Sequence, residues 1–412
     1  MSYLLSFNLS YFSIGIIEYL FKYRGMTASQ LAAMQNPHGY SLSQEKSIYN
    51  YLLKLKKLNL VTATRLRDGY SKGSIYYLTS EGYEYAKNWL NIEEGQGGDG
   101  WIFGNGFPSF ADIPYETYKP PLEQTTHHLL QIDFFAKVRR LPATLVDHRL
   151  NLYSSEYFEI DSEKYRFRPD AEITLLDTLQ NYTVEIDRGT ESHEQLRNKF
   201  RTYRQYFDFI SNEGIEKLPN GIIFVVEEKR KNHGMKRRWV NVLSAFFAEI
   251  GPYHKNVNLI MTPMDKVEEV ILTEMDRKML EGKASREVSR ILEKSYEKVT
   301  SYSFRDKKEV VTSMAYSHAI KEDSYIVYFN ATSQMYESKV YSRFFEFKER
   351  LLNNAQSSKE VENLAFIGWS KQIFYVNEPP YLVGNLSNYN LDKNIQEQLI
   401  DFDRNVEFIK LK

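Results

Sequence analysis

The first 90 residues carry the pattern that most limits the possible fold. Apolar residues recur at helical spacing from Tyr11 to Tyr23, and Gly25 ends that run. Thr27 has the position and chemistry of a helix cap, and we expect a third helix to start at Ser43. Alternating residues then indicate two strands around a turn. The pattern predicts helices over residues 11–23, 28–34, 43–59 and 79–88, with strands over residues 60–66 and 75–78.

Three helices followed by a two-stranded ribbon predict a winged helix-turn-helix domain over residues 1–92. Ile48, Tyr51, Leu52 and Leu55 form the apolar stripe of the third helix, which leaves its other face free to reach base edges and phosphates. Residues 1–90 also hold ten Lys and Arg against five Asp and Glu, a balance suited to phosphate binding. The residues expected to contact DNA are Ser43, Gln44, Lys46, Ser47, Asn50, Lys54 and Lys57 on the helix, and Arg65, Arg67 and Lys72 at the wing. A domain used only for protein contact is the alternative.

The remaining chain predicts an α+β multidomain protein. Glycine and proline are dense over residues 93–120, which we interpret as a linker. Helical and strand patterns then alternate, as in an α/β domain, over residues 121–263. Residues 264–412 carry no motif and are expected to form an α+β accessory or oligomerisation domain. The predicted helices cover residues 122–141, 191–210 and 264–298, and the predicted strands cover residues 168–176, 182–187, 221–226, 259–262, 325–329 and 372–376.

Cysteine usage and hydropathy exclude several classes of protein. The chain has no cysteine, which excludes disulfides, thiolate zinc sites and a cysteine nucleophile. Its apolar N-terminus lacks a basic leader, and no apolar run is long enough to cross a bilayer. We therefore expect a cytoplasmic protein without a membrane partner.

Three carboxylates stand out in the predicted α/β domain. If the strands that hold Asp170 and Glu185 are neighbours, these two side chains lie side by side, and Asp187 shares the face of Glu185. Converging carboxylates repel each other unless a cation binds, so Asp170 and Glu185 are candidate Mg²⁺ ligands. Lys199 and Arg197 on the next helix could face the same site. The alternative is solvated strand ends, paired with neighbouring arginines in surface salt bridges of little energetic weight.

Two further features carry less weight. His127 and His128 are adjacent, so on a helix they point about 100° apart and do not form a His-x-His metal motif. A basic run over residues 229–238 follows a predicted strand. It is either a track for a DNA backbone or a solvated loop.

The acidic pattern resembles that of the restriction-endonuclease-like nucleases, whose signature is Pro-Asp, a spacer, then Asp/Glu-x-Lys. Pro169 and Asp170 match the first half, and Glu185 matches the second acidic position. Asp187 stands where the family has the lysine that positions the attacking water. The resemblance therefore implies Asp170, Glu185, Asp187 and Lys199 as the catalytic set, with Lys199 replacing the missing lysine from the helix and Glu123 completing the cluster.

The combined pattern resembles a narrower family, the replication-relaxation proteins of plasmids and mobile elements in Gram-positive bacteria. The resemblance is carried by the predicted winged helix, Arg168-Pro169-Asp170, the run over residues 184–191, and Leu196, Lys199 and Tyr203. It covers roughly residues 10–230 and implies roles in replication initiation and DNA relaxation.

Two functions remain open at this point. The first is a Mg²⁺-dependent nuclease brought to plasmid or origin DNA by the winged helix. The second is a non-enzymatic replication initiator or transcriptional regulator that keeps the nuclease fold as a scaffold. Asp187 at the lysine position favours the second, and the clustered carboxylates favour the first. Both would bind double-stranded DNA, and a palindromic target would require a homo-oligomer such as a dimer.

Overall fold

The computed structural model is a mixed α+β structure that divides into two compact units, Met1–Arg188 and Gly189–Lys412. Within the part of the chain described, no helix is long and apolar enough to cross a lipid bilayer. The structure describes residues 9–66, 73–94, 112–152, 156–160, 162–212, 218–227, 234–279, 299–303, 313–320, 323–332, 334, 336–339, 342, 364–370 and 396–399.

The first unit begins with three helices and a β-hairpin. These elements are α1 (Tyr11–Tyr23), α2 (Ala28–Gln35), α3 (Leu42–Lys57), β1 (Val61–Arg65), β2 (Ser74–Leu78) and a following helix α4 (Ser80–Trp89). β1 and β2 pair antiparallel, with Val61 opposite Leu78. Met26, between the first two helices, forms an isolated antiparallel bridge to Tyr76 on β2. The helical and alternating patterns together therefore predicted the order of all six elements, and the predicted bounds of α1 are confirmed.

The start of α3 differs from the prediction. Ser41, not Ser43, caps the helix: its Oγ accepts a hydrogen bond from the Gln44 amide at 3.3 Å. The Gln44 side chain returns the contact, since its Oε1 accepts from the Ser41 amide at 2.7 Å. This reciprocal pair is a capping box, which satisfies two backbone donors at once. Ser43 consequently lies in the first turn of the helix.

Part of the predicted linker packs against these helices. Residues 112–120 include the short helix α5 (Tyr115–Tyr118), and Tyr118 is fully buried there. The ring of Tyr118 lies 5.6 Å from that of Phe21 and 4.3 Å from that of Tyr83, and its hydroxyl donates to the Leu20 carbonyl. This end of the segment is therefore part of the core of the first unit. Residues 95–111 lie outside the described residues.

The rest of the first unit consists of a helix, three antiparallel strands and a separate two-stranded hairpin. These elements are α6 (Thr125–Val138), β3 (Val146–Leu150), β4 (Glu156–Ile160), β5 (Glu163–Phe167), β6 (Ala171–Leu175) and β7 (Gln180–Asp187). β6 pairs antiparallel with both β3 and β7, while β4 and β5 form a separate hairpin. The predicted strand over residues 168–176 is shorter than expected. Pro169 has no amide hydrogen to donate to a ladder, and β6 begins only after Asp170.

The second unit contains a parallel strand pair with helices. Its elements are α7 (His193–Asn212), β8 (Gly221–Val226), α8 (Met235–Glu249), β9 (Asn258–Pro263) and α9 (Val267–Met275). β8 and β9 pair in parallel and are joined through α8, as parallel strands require a crossover. Further along lie β10 (Val299–Ser303), β11 (Ser313–Ile320), β12 (Asp323–Thr332), β13 (Leu364–Ser370) and β14 (Gln396–Leu399), which form one sheet in chain order.

The predictions for the second unit have mixed outcomes. The bounds predicted for β8 are confirmed, and β12 contains the strand expected over residues 325–329. The expected strand over residues 372–376 and most of the basic run lie outside the described residues. Arg238, from the end of that run, is buried on α8 and donates to the Glu191 carbonyl at 2.8 Å. For this arginine, the interpretation as a DNA-tracking or solvated loop is wrong.

Candidate nucleic-acid interface and acidic site

One exposed face of α3 carries most of the residues that the sequence indicated for DNA contact. At about 100° per residue, all of them fall within an arc of about 100°, which places them on one side of the helix. All are exposed except Ser47, which is half-buried, and Arg65 is exposed at the end of β1. Arg67 and Lys72 lie outside the described residues. The helix face consists of Ser43, Lys46, Ser47, Asn50, Lys54 and Lys57.

The opposite face anchors α3 in the first unit. Ile48, Leu52 and Leu55 are fully buried, as the apolar stripe predicted. Glu45 accepts a hydrogen bond from the Ser29 hydroxyl at 2.6 Å, which links α3 to α2. Because the inner face is fixed at several points, the outer face is presented in a defined orientation.

Two of the expected DNA-contacting side chains also have partners within the protein. The Gln44 amide nitrogen donates to Asn36 Oδ1 at 2.9 Å, in addition to the capping contact with Ser41. Its side chain therefore holds the start of the helix. Lys54 Nζ lies 5.5 Å from the centroid of the Tyr51 ring, a cation–π contact that leaves the ammonium group at the surface.

The structure brings Asp170 and Glu185 to the same end of the β6–β7 pair. Ala171 lies opposite Val184, and the Asp170 amide donates to the Val184 carbonyl at 3.0 Å. Asp170, the residue before β6, therefore lies near Glu185 at this end of the strand pair, as expected from the sequence. Glu185 is 5% exposed and Asp187 is 1% exposed, so the strand carries two buried carboxylates beside Asp170.

Asp170 accepts hydrogen bonds at both carboxylate oxygens. The Ile186 amide donates to Oδ2 at 2.8 Å. Oδ1 accepts from Gln131 Nε2 at 2.9 Å and from His127 Nε2 at 2.8 Å. Sequence reasoning missed both side chains as partners of Asp170. Their spacing of four residues on α6, which places them on one helix face, was the available signal.

The donors around Asp170 bear on whether Mg²⁺ fits this site. Mg²⁺ requires oxygen ligands in near-octahedral geometry, but here N–H groups of His127, Gln131 and Ile186 occupy the Asp170 carboxylate. Among the residues that the structure describes, no group of three or more His, Asp and Glu is placed to hold a metal ion. Glu123 is exposed on the turn before α6. The three donors take three of the roughly four lone-pair positions of the Asp170 carboxylate, so the arrangement fits a Mg²⁺ centre poorly.

Lys199 belongs to a charged group within the second unit. Its Nζ lies 2.9 Å from Glu191 Oε1 and 5.6 Å from the centroid of the Phe224 ring. Arg238 donates a hydrogen bond to the backbone carbonyl of Glu191. Glu191 therefore positions Lys199, and the role of Lys199 in orienting water stays a prediction.

Comparisons with known proteins are informative at the level of the family. Neither the curated proteins nor the solved structures gave a match to the chain. A family model described as Replication-relaxation matches residues 17–225, just over half of the chain. The matched residues contain α3, the Asp170–Glu185 pair and Lys199. The chain therefore belongs to the replication-relaxation family.

Proposed function

We propose that the protein binds double-stranded DNA in the replication of a plasmid or other mobile element. In this proposal α1–α3 and the β1–β2 hairpin act as a winged helix, and α3 enters the major groove. The observation that carries the proposal is the outer face of α3, where three lysines, an amide and two hydroxyls lie opposite a buried apolar stripe. A dimer on a palindromic site, working in the cytoplasm, would be the functional form.

The side chains on this face suit two different tasks. Lysines neutralise phosphates, and each neutralised phosphate contributes about 0.9 to the slope of log affinity against log salt. The Asn50 amide has the donor and acceptor pair that reads adenine in the major groove. Lys54 and Lys57 lie in the last turns of α3, so we assign them to phosphates and Asn50 to a base edge.

Charge reversal on α3 tests the proposal. Lys54→Glu and Lys57→Glu should each weaken binding to duplex DNA carrying the element's own origin by about tenfold, and each should lower the salt slope by about one. The matched control is Lys56→Glu, which makes the same charge change in the same turn. Lys56 is exposed but points about 200° from Lys54 around the helix. Fluorescence anisotropy over a range of salt concentrations gives both quantities.

The control variant makes the result decisive. If Lys56→Glu weakens binding as much as the other two variants, only the net charge matters and α3 does not lie in the groove. If none of the three variants changes binding, the DNA-contacting surface lies elsewhere.

Metal-dependent nicking is the second candidate function. It is favoured by the buried carboxylates of Glu185 and Asp187 beside Asp170. A non-enzymatic initiator or regulator is favoured by the N–H donors on Asp170 and by Asp187 at the position of the nuclease lysine. The catalytic roles of Asp170, Glu185, Asp187 and Lys199, and Mg²⁺ as the cofactor, belong to the first of these alternatives.

A plasmid assay separates the two alternatives. Supercoiled plasmid carrying the origin is incubated with the protein and Mg²⁺ or Mn²⁺, alongside Asp170→Asn and the control Asp177→Asn. Asp177 is an exposed carboxylate in the β6–β7 turn. Nicking that is lost only in Asp170→Asn supports the nuclease. Retained DNA binding without nicking in any sample supports the scaffold.

A further inference from the structure

A cavity of about 420 Å³ lies within the first unit, on the side of Asp170 that faces α6. This volume falls in the usual range for small-ligand sites, and it suits a group of the size of one nucleotide. Its wall brings together the end of α1, the start of α6, the end of β5 and the segment before β6. The charged and imidazole side chains that line it are Arg24, His127, His128, Arg166, Arg168 and Asp170.

The charge of the cavity favours an anion. Three arginines against one aspartate leave a formal charge of +2 on its wall. Guanidinium groups stay protonated in proteins, and their planar fork matches two oxygens of a phosphate. Arg166 and Arg168 are exposed, so a phosphate can reach them without reorganising the core.

Arg24 is a buried part of the cavity wall. The residue is 6% exposed. Its Nε donates to the Tyr118 carbonyl at 2.7 Å, and its Nη2 donates to the carbonyls of Thr117 and Lys119. The backbone of Arg24 has φ of 70°, a conformation that is costly for any residue other than glycine. Such strain persists where surrounding contacts enforce it, and it clusters at binding sites.

Neutral hydrogen-bonding groups complete the cavity. Gln124, Gln131 and Asn151 contribute amides, which can donate and accept. His128 is 1% exposed, and its Nε2 donates to the Gly25 carbonyl at 2.9 Å. Burial lowers the pKa of His128 to about 3, so its imidazole is uncharged at neutral pH. A lining that combines arginines with amides and a neutral imidazole suits a phosphate attached to a polar sugar and base.

We propose that this cavity binds one phosphorylated nucleotide unit at the end of a DNA strand, with Arg166 and Arg168 on the terminal phosphate. The assignment to a DNA strand, and not to a free nucleotide, rests on the proposed function. The cavity therefore gives the protein a second DNA contact, distinct from the duplex contact of α3.

The test compares short single-stranded oligonucleotides with and without a terminal phosphate. The wild-type protein should bind the phosphorylated strand about tenfold more tightly, since charge-assisted contacts to phosphate are lost with the hydroxyl end. The double variant Arg166→Gln with Arg168→Gln should lose this preference. The control Arg140→Gln should keep it, because Arg140 lies beyond the other end of α6, about 13 Å along the helix from Gln131.

Two outcomes would overturn the proposal. An unchanged preference in the double variant would show that the cavity does not hold the phosphate. Displacement of the strand by a deoxynucleoside monophosphate, at the concentration at which the strand itself competes, would assign the site to free nucleotides. Duplex binding is measured on the same samples. If it proves independent of α3, the proposed function fails while the terminal-phosphate preference is still measurable.

Discussion

At the scale of single residues, two histidines with lowered pKa values couple the fold of the first unit to pH. Burial lowers the pKa of His148 well below its ordinary value, and the nearby cations Lys22 and Arg139 add to the effect. Nε2 of the uncharged ring shares a hydrogen bond of 2.6 Å with the Tyr23 hydroxyl. Burial likewise lowers the pKa of His128, with Arg24 as the next cause. Both side chains therefore fold as neutral imidazoles.

The sign of the pH dependence follows from these depressed pKa values. The unfolded chain binds a proton on each histidine below about pH 6.5, and the folded chain does not. The stability that these histidines contribute is thus fully present above that pH and falls as the solution is acidified. Because the pKa of His128 is lowered to about 3, we expect His128 to account for a loss of about 2 kcal/mol in the free energy of unfolding between about pH 7.5 and about pH 5. His148 should add to this loss in the same direction.

Urea unfolding of His148→Phe at the two pH values checks this expectation. The free energy of unfolding of the variant should differ less between the two pH values than that of the wild type, because the contribution of His148 is gone. This holds whether the substitution raises or lowers the stability itself. His38→Asn removes an exposed histidine and should leave the dependence as in the wild type. A His148→Phe protein with the full pH dependence would mean that His148 does not fold as a neutral ring.

At the scale of elements, a glycine fixes how α4 meets the end of α3. A Cβ on Gly82 would lie 1.9 Å from the carbonyl oxygen of Leu60, the same carbonyl that accepts from the Thr79 amide. Gly82→Ala must therefore push α4 away from this backbone, at a cost of about 3 kcal/mol. Gly15 lies inside α1 with its nearest neighbour at 3.9 Å. Gly15→Ala should stabilise the protein by about 0.5–1 kcal/mol through helix propensity.

Thermal unfolding of the two alanine variants gives opposite shifts if this packing is correct. Both substitutions add one methyl group to a helical glycine, so they differ only in what the methyl group meets. A Gly82→Ala protein as stable as the wild type would mean that α4 does not close onto Leu60.

The elements also show what the sequence could and could not predict. Periodicity located α1–α3 and β8 because their buried faces are mainly apolar. It missed β3, since one of its buried residues is Arg149, a charged residue that pairs with Glu172 on β6. The Asp170–Glu185 pairing was predictable from strand order and register. The donors His127 and Gln131 were not, because the approach of α6 to β6 depends on packing between distant segments.

At the scale of the whole molecule, the N-terminal helices are joined to the acidic site within one unit. Gln30 on α2 is buried, and its Nε2 donates to Asp133 Oδ1 at 2.7 Å and to the Leu129 carbonyl at 2.9 Å, both on α6. Arg139, which follows α6, donates to the Met34 carbonyl at 2.7 Å. These contacts tie α2, to which α3 is linked by the Ser29–Glu45 hydrogen bond, to the helix whose His127 and Gln131 hold Asp170. DNA held by α3 would therefore meet the acidic site in a fixed geometry.

Gln30→Glu tests this coupling in the full chain. Glutamate keeps the side-chain acceptor that the Thr27 amide uses in the capping box of α2, but it turns the donor to Asp133 into a second carboxylate oxygen. We expect a loss of about 2–4 kcal/mol from the unpaired, repelling groups. Because α2 and α6 share this contact, hydrogen exchange should speed up in both helices together. Ser29→Ala, which removes the contact to Glu45 within the N-terminal helices, should affect only α2 and α3. Faster exchange confined to α2 in Gln30→Glu would instead show that the N-terminal helices fold independently of α6. The proposed DNA-contacting face of α3 would then be connected to the site at Asp170 by the polypeptide chain and not by packing.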